Sequence, residues 1–201
     1  AGAARLYRLD AAGNFGPLVE LPAQPFDLVS DGDGKVYVLL STGKVFAVGR
    51  DGVLTEVRHG VPGTASGLGV TAAGRLLLWS STSVYEVEPA TGATTSLLTG
   101  VSGVSGTARD GAGRTVTVGS SLERLSIYGP GGSLESTVTG FRIPYGIVWT
   151  GSELRFVDSG DKLFGYAPGG YPLHLANNFK ARQVAQRGVD TVGVVVENSV
   201  T

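Results

Sequence analysis

Apolar residues along this chain come in short runs of about four to six, alternating or continuous, each closed by a small group of Gly, Asp, Pro or Ser. That is the pattern of short β-strands joined by tight turns. The runs also recur as a set. "PFDLVSDGDGKVYVLLSTGKVFAVGRDGVLTEV", from Pro25, aligns with "ASGLGVTAAGRLLLWSSTSVYEVEPATGATTSLL", from Ala65. It aligns again with "VSGTARDGAGRTVTVGSSLERLSIYGPGGSLESTV", from Val104, and with "PYGIVWTGSELRFVDSGDKLFGYAPGGYPLHLA", from Pro144. Each copy predicts four strands, a to d, and a four-strand unit repeated about every forty residues predicts an all-β fold, the β-propeller.

The two ends complete the count. "ARLYRLDAAGNFGPLVEL" matches only strands c and d of the unit, and "ARQVAQRGVDTVGVVVENS" matches only strands a and b. Joined, they predict one further blade whose sheet contains both ends of the chain. The expectation is therefore a single domain, 1–201, folded as a five-bladed propeller of four antiparallel strands per blade, the ring closed by pairing of the N- and C-terminal half-blades. Its blades run 25–63, 64–103, 104–142 and 143–180, with the last made from 181–201 and 1–24.

The unit resembles the repeat of the NHL and SMP-30/gluconolactonase-like propellers. Pro25, Phe26, Asp31, Gly34, Val36 to Val38 and Gly43 to Val48 carry the resemblance, and Pro144, Tyr145 and Gly146 repeat its opening. It extends along the whole chain at the level of the repeat. Members of those families usually have more blades, so their active sites do not carry over position by position.

The "DGDG" at 31–34 raises calcium as a question. Its counterparts in the other units are "TAAG", "DGAG" and "WTGS", which keep a turn but not the paired aspartates. Asp-Gly is strong hairpin chemistry, because Gly takes a positive φ and Asp bonds backbone two residues on. An EF-hand loop would also need further oxygen ligands and a closing glutamate, and "KVYVLL" follows instead. The hairpin is the reading taken.

Composition narrows the function. Glycine, 32 of 201 residues, is frequent enough to serve many turns and lacks the collagen period. With 16 basic and 17 acidic side chains and no run of like charge, neither a nucleic-acid footprint nor a polybasic membrane patch is expected. There is no cysteine, hence no disulfide, thiolate zinc site or cysteine nucleophile, and no run of about 18 apolar residues that would insert in a membrane. The chain has no methionine, and "AGAA" reads as the start of a processed or trimmed precursor. An extracellular or periplasmic, envelope-exposed location is the expectation.

In a propeller the longer d-to-a and b-to-c connections share one face, around the mouth of the central channel, and that is where a site is sought. The d-to-a segments bring Phe26, Asp27, Phe141, Arg142, Tyr145, Lys180, Arg182 and Gln183 there as ligand-binding candidates. Aromatic and arginine side chains beside carboxylates suit recognition of a protein or another extracellular ligand. A ladder of Tyr7, Phe46, Tyr85 and Phe164 in strand c is assigned to packing between blades. Both histidines, His59 and His174, fall at or near strand d, so no general base is expected at the mouth and no cofactor is implied.

The family resemblance implies an alternative, a divalent-metal lactonase or esterase-like hydrolase. Its oxygen ligands, for calcium or another divalent cation, would be Asp27, Asp158, Glu197 and Asn198. A second alternative is a glycan-binding lectin with equivalent sites around the ring.

Overall fold

The computed structural model describes residues 4–9, 14–31, 34–119, 122–177, 181–187 and 191–196, the side chains of Leu9, Phe15 and residues 181 onward excepted. Four blades follow one another. The first is β3 (Pro25–Ser30), β4 (Val36–Leu40), β5 (Val45–Val48) and β6 (Leu54–Val57). The second is β7 (Gly67–Val70), β8 (Leu76–Trp79), β9 (Ser83–Val87) and β10 (Thr94–Thr99). The third is β11 (Val104–Arg109), β12 (Thr115–Gly119), β13 (Leu122–Tyr128) and β14 (Leu134–Val138). The fourth is β15 (Pro144–Trp149), β16 (Leu154–Asp158), β17 (Leu163–Tyr166) and β18 (Leu173–Ala176). Every neighbouring pair is antiparallel, and the inner strands β3, β7, β11 and β15 stand side by side.

The expected fifth blade is corrected. β1 (Arg5–Leu9) pairs with β2 (Phe15–Glu20), and β19 (Ala181–Arg187) pairs with β20 (Thr191–Val196), but these remain two separate two-stranded sheets. The first packs on the first blade, and β19 packs on β15 and β16 of the fourth. The fold is thus a propeller of four complete blades flanked by two half-blades. Repeat arithmetic counts strands, whereas ring closure depends on the wedge angle between blades, set by side-chain volume between sheets. The sum could balance without the ends meeting.

The core lies between the blades rather than within one layer. Tyr37, Leu39 and Val45 of the first blade meet Leu68, Leu76 and Leu78 of the second. Phe156, Phe164 and Leu154 of the fourth meet Val116, Leu125 and Ile127 of the third. Strand b is buried on both faces, which is why it reads as a continuous apolar run. In "VYVLL" Tyr37 and Leu39 face the second blade, while Val38 and Leu40 face β1 and β2. In "LLLW" Leu76, Leu77 and Leu78 have no exposed surface at all. Burial of each such side chain contributes about 2 kcal/mol.

The turns behave as their chemistry predicts. Asp31 Oδ1 accepts from Lys35 N at 2.8 Å, Asp110 Oδ1 from Arg114 N at 2.7 Å, and Thr71 Oγ1 from Arg75 N at 3.2 Å. One acceptor at one register therefore closes the a-to-b hairpin in three blades. Asp33 lies outside the described residues.

A second recurrent contact joins the blades at the c-to-d turns. Gly52, Gly92 and Gly132 have φ of 81°, 76° and 80°, and each lies against a backbone carbonyl of the preceding sheet's outer strand or just beyond it. A Cβ would stand 2.6 Å from Leu18 O, 2.6 Å from Arg58 O and 3.0 Å from Leu97 O respectively.

Two predictions follow from this packing. Gly92→Ala is expected to lower unfolding free energy in urea by about 2–4 kcal/mol, since strain at positive φ adds to a clash with backbone. Gly63→Ala, with φ of 73° but open space around the Cβ, should lose only about 1 kcal/mol. The second concerns Tyr37, whose hydroxyl is pushed above its usual value of 10.0 by burial and then by Asp31 and Glu88. The unfolded chain loses this proton first, so stability falls as pH rises from about 10 toward the raised folded value. Urea midpoints through that range should drop less in Tyr37→Phe than in the parent.

Candidate functional site

The mouth-side connections of the third and fourth blades converge on one cleft of about 740 Å³. The segment after β14 supplies Thr139, Gly140, Phe141 and Arg142, and the β16-to-β17 turn supplies Asp158, Gly160 and Lys162. Glu123 and Phe164 complete the lining.

Asp158 organises this cleft. Only 2% exposed, it ends β16 and opens the turn "DSGDK". Its Oδ1 accepts from Gly160 N at 2.9 Å and Lys162 N at 3.2 Å, the Asx arrangement that a leading aspartate favours. Its Oδ2 accepts from Arg142 N at 3.0 Å, across the gap to the other connection. Ser159 N donates to Ile143 O at 2.9 Å beside it. Asp161 takes φ of 58°, a conformation that aspartate tolerates better than most residues. One buried carboxylate therefore holds two loops together and fixes the backbone from which Arg142 and Lys162 project.

The floor is aromatic. Phe141 and Phe156 meet edge to face with centroids 4.7 Å apart, Phe156 stacks on Phe164 at 5.2 Å, and Phe141 lies 5.9 Å from Phe164. Arg142 and Lys162 are exposed, and neither side chain has an ion-pair partner among the described residues. The cleft thus offers a rigid apolar base, the buried carboxylate of Asp158, an exposed carboxylate at Glu123 and two exposed cations that make no ion pair among the described residues.

The residues singled out from the sequence separate into groups. Phe141, Arg142 and Asp158 are brought together here. Phe141 is corrected from surface to core, because it is 8% exposed and its ring is held by Phe156 and Phe164. Phe26, 60% exposed, and Tyr145 occupy equivalent positions near the starts of inner strands β3 and β15, outside the cleft.

Asp27 serves packing between blades: its Oδ2 accepts from Leu68 N of β7 at 2.9 Å and its Oδ1 from Leu28 N at 2.8 Å. Arg182 and Gln183 stand on β19 with side chains outside the description, and Lys180, Glu197 and Asn198 lie outside the described residues. Among the described residues no three carboxylate or histidine groups gather as a metal set.

Glu123, Thr139 and Lys162 were not singled out from the sequence. Lys162 was within reach, being the far end of the turn that Asp158 opens. Thr139 was within reach too, on the connection that carries Phe141 and Arg142, whereas Glu123 comes from β13 of the third blade, and a repeat alignment places residues at equal height without showing which two blades share a gap. Each histidine is engaged by a backbone carbonyl, His59 Nε2 with Gly43 O at 3.1 Å and His174 Nε2 with Ala176 O at 3.0 Å. Of the expected aromatic ladder, Phe46, Tyr85 and Phe164 pack against a neighbouring sheet, while Tyr7 is exposed.

Comparison with solved structures finds the same fold in proteins of different kinds. Virginiamycin B lyase from Staphylococcus aureus superposes with a TM-score of 0.68 at 14% identity, over 98% of this chain and 76% of that one. A structure of a nidogen/laminin complex gives 0.74 at 15%, over 96% and 82%. A gluconolactonase from Xanthomonas campestris gives 0.71 at 12%, over 96% and 76%. No protein-family model matches the chain, and no curated protein matches it. The resemblance to NHL and SMP-30/gluconolactonase-like propellers therefore holds as a likeness of fold.

Removing the Asp158 carboxylate tests its structural role. Asp158→Ala should cost about 2 kcal/mol of unfolding free energy, three part-buried amide donors losing their acceptor, and Asp158→Asn less, because one oxygen remains. The loss should be the same with and without chelator. A loss seen only when metal is present would instead assign the carboxylate to a cation.

Proposed function

We propose that this chain is a non-catalytic binding propeller, working outside the cell or in the cell envelope, whose mouth-face cleft between the third and fourth blades receives a protein or other extracellular ligand. The observation that carries this reading is the commitment of Asp158. Its oxygens accept from three backbone amides, which supports a role in building the rim. Arg142 and Lys162 then stand over an aromatic base, an arrangement suited to an anionic group carried on an apolar body. In this reading residues 1–201 act as one unit without a cofactor.

Two other readings are weighed against it. The divalent-metal hydrolase draws on the likeness in fold to a gluconolactonase, but fold does not carry activity, and Asp27 and Asp158 are both engaged with backbone. The lectin reading needs equivalent sites around the ring. The matching mouth positions here are Phe26, Ser66, Ser105 and Tyr145, which differ in size and polarity.

The test uses chelator-treated protein. Millimolar calcium, magnesium or manganese should leave the thermal midpoint unchanged, whereas a poly-glutamate peptide should raise it by binding the folded state. Arg142→Ala combined with Lys162→Ala should weaken peptide binding roughly tenfold, about 1.4 kcal/mol, with the midpoint of the free protein unaltered. A metal-dependent rise together with turnover of a lactone or ester would replace the binding reading by the hydrolase.

A further inference from the structure

The gap between the third and fourth blades has a second opening, on the face that carries the a-to-b and c-to-d turns. There it holds a cavity of about 60 Å³ floored by Val116 and Ile127. A small-molecule pocket needs a few hundred Å³ or more, so this space suits the end of a single side chain.

The other gaps show why the space exists. Where β12 has Val116, β4 has the larger, buried Tyr37 and β8 has Leu77 at the same register. Where β15 has Trp149, β11 has Arg109. Between the second and third blades Arg109 reaches back to Glu86, Nε to Oε1 at 3.7 Å, with side chains 17% and 15% exposed. Arg75 Nη1 approaches the same carboxylate at 3.6 Å. That gap is therefore closed by arginine set against glutamate. The gap between the third and fourth blades has a glutamate too, but Trp149 stands where the arginine would.

Glu135 is that glutamate. The pairing of β13 with β14 slips by one residue here, and Glu135 falls between the paired Leu134 and Ser136, as the extra residue of a bulge does. It lines the cavity, is exposed, and makes no ion pair among the described residues. The other two charges of the site cancel, because buried Asp110 accepts from Arg114 N and from Arg114 Nε, both at 2.7 Å. Trp149, Tyr166 and Pro168 form the wall contributed by the fourth blade. The Trp149 indole is held by donation to Gly151 O at 2.9 Å. Tyr166 is 5% exposed, yet its hydroxyl makes no hydrogen bond among the described residues. An unpaired carboxylate, an unused hydroxyl and two aromatic rings match the needs of a guanidinium, which pairs at its edge and stacks on its face.

We propose that this cavity is a second recognition site, on the face opposite the mouth cleft, and that it receives an arginine side chain of a partner polypeptide. The guanidinium pairs with Glu135 and meets the Tyr166 hydroxyl and the Trp149 ring, repeating between molecules what Arg109 and Glu86 do within the chain one gap earlier. The site stands whether or not the mouth cleft binds a ligand. The two ends of one gap then favour groups of opposite charge.

Trp149 is one of only two tryptophans, and the other, Trp79, is buried against Gly67 of the second blade, so fluorescence reports on the site. Titration with acetyl-tetra-arginine amide should change the tryptophan emission of the parent, and Trp149→Phe should lose the change. By calorimetry Glu135→Gln should weaken the peptide about tenfold with the thermal midpoint unmoved. The pair Arg142→Ala and Lys162→Ala should leave its affinity unaltered, which separates this site from the mouth cleft. Tetra-lysine should bind less well than tetra-arginine, since an ammonium neither forks onto a carboxylate nor stacks. A parent whose emission does not respond to millimolar tetra-arginine overturns the proposal. So does a tetra-arginine affinity that Glu135→Gln leaves unchanged, which would mean that general surface charge holds the peptide.

Discussion

Every blade of this fold is a four-stranded sheet with two apolar faces and no helix to cover either, so each face can be buried only by another blade. That single constraint explains much of the rest. It makes strand b apolar at consecutive positions, as in "VYVLL" and "LLLW", because alternate side chains answer to different neighbours. It places the core in the gaps between sheets. It also means that stability is a sum over neighbouring pairs, each blade leaning on two others.

The same constraint leaves few strand side chains free of packing, and even the aromatic positions of strand c are drawn into it, as Phe46, Tyr85 and Phe164 show. More of the polar surface lies at the rim. There the chain uses one device for two purposes: an aspartate that closes a turn by accepting from backbone. At Asp31 and Asp110 it shapes a hairpin, and at Asp158 it also reaches the neighbouring connection. The fold is shared with a lyase, a gluconolactonase and a protein from a nidogen/laminin complex, so the stacked sheets alone do not fix an activity.

The blades were legible in the sequence because turn chemistry and apolar runs are local signals repeated four times. The role of Asp31 was legible for the same reason, its counterparts at the same register keeping a turn and not a ligand set. Other features depend on what lies across a gap. Phe141 reads from the sequence as a mouth residue, and only the positions of Phe156 and Phe164 place its ring in the core. Glu123 joins the cleft from another blade. The meeting of the ends was misread because strand number and ring curvature are separate quantities.

The glycine turns have a direction. Gly52, Gly92 and Gly132 each rest on the sheet that precedes them in the chain. A blade emerging during synthesis therefore finds its docking surface already made, and the propeller can be assembled in the order in which it is translated, each unit templating the next.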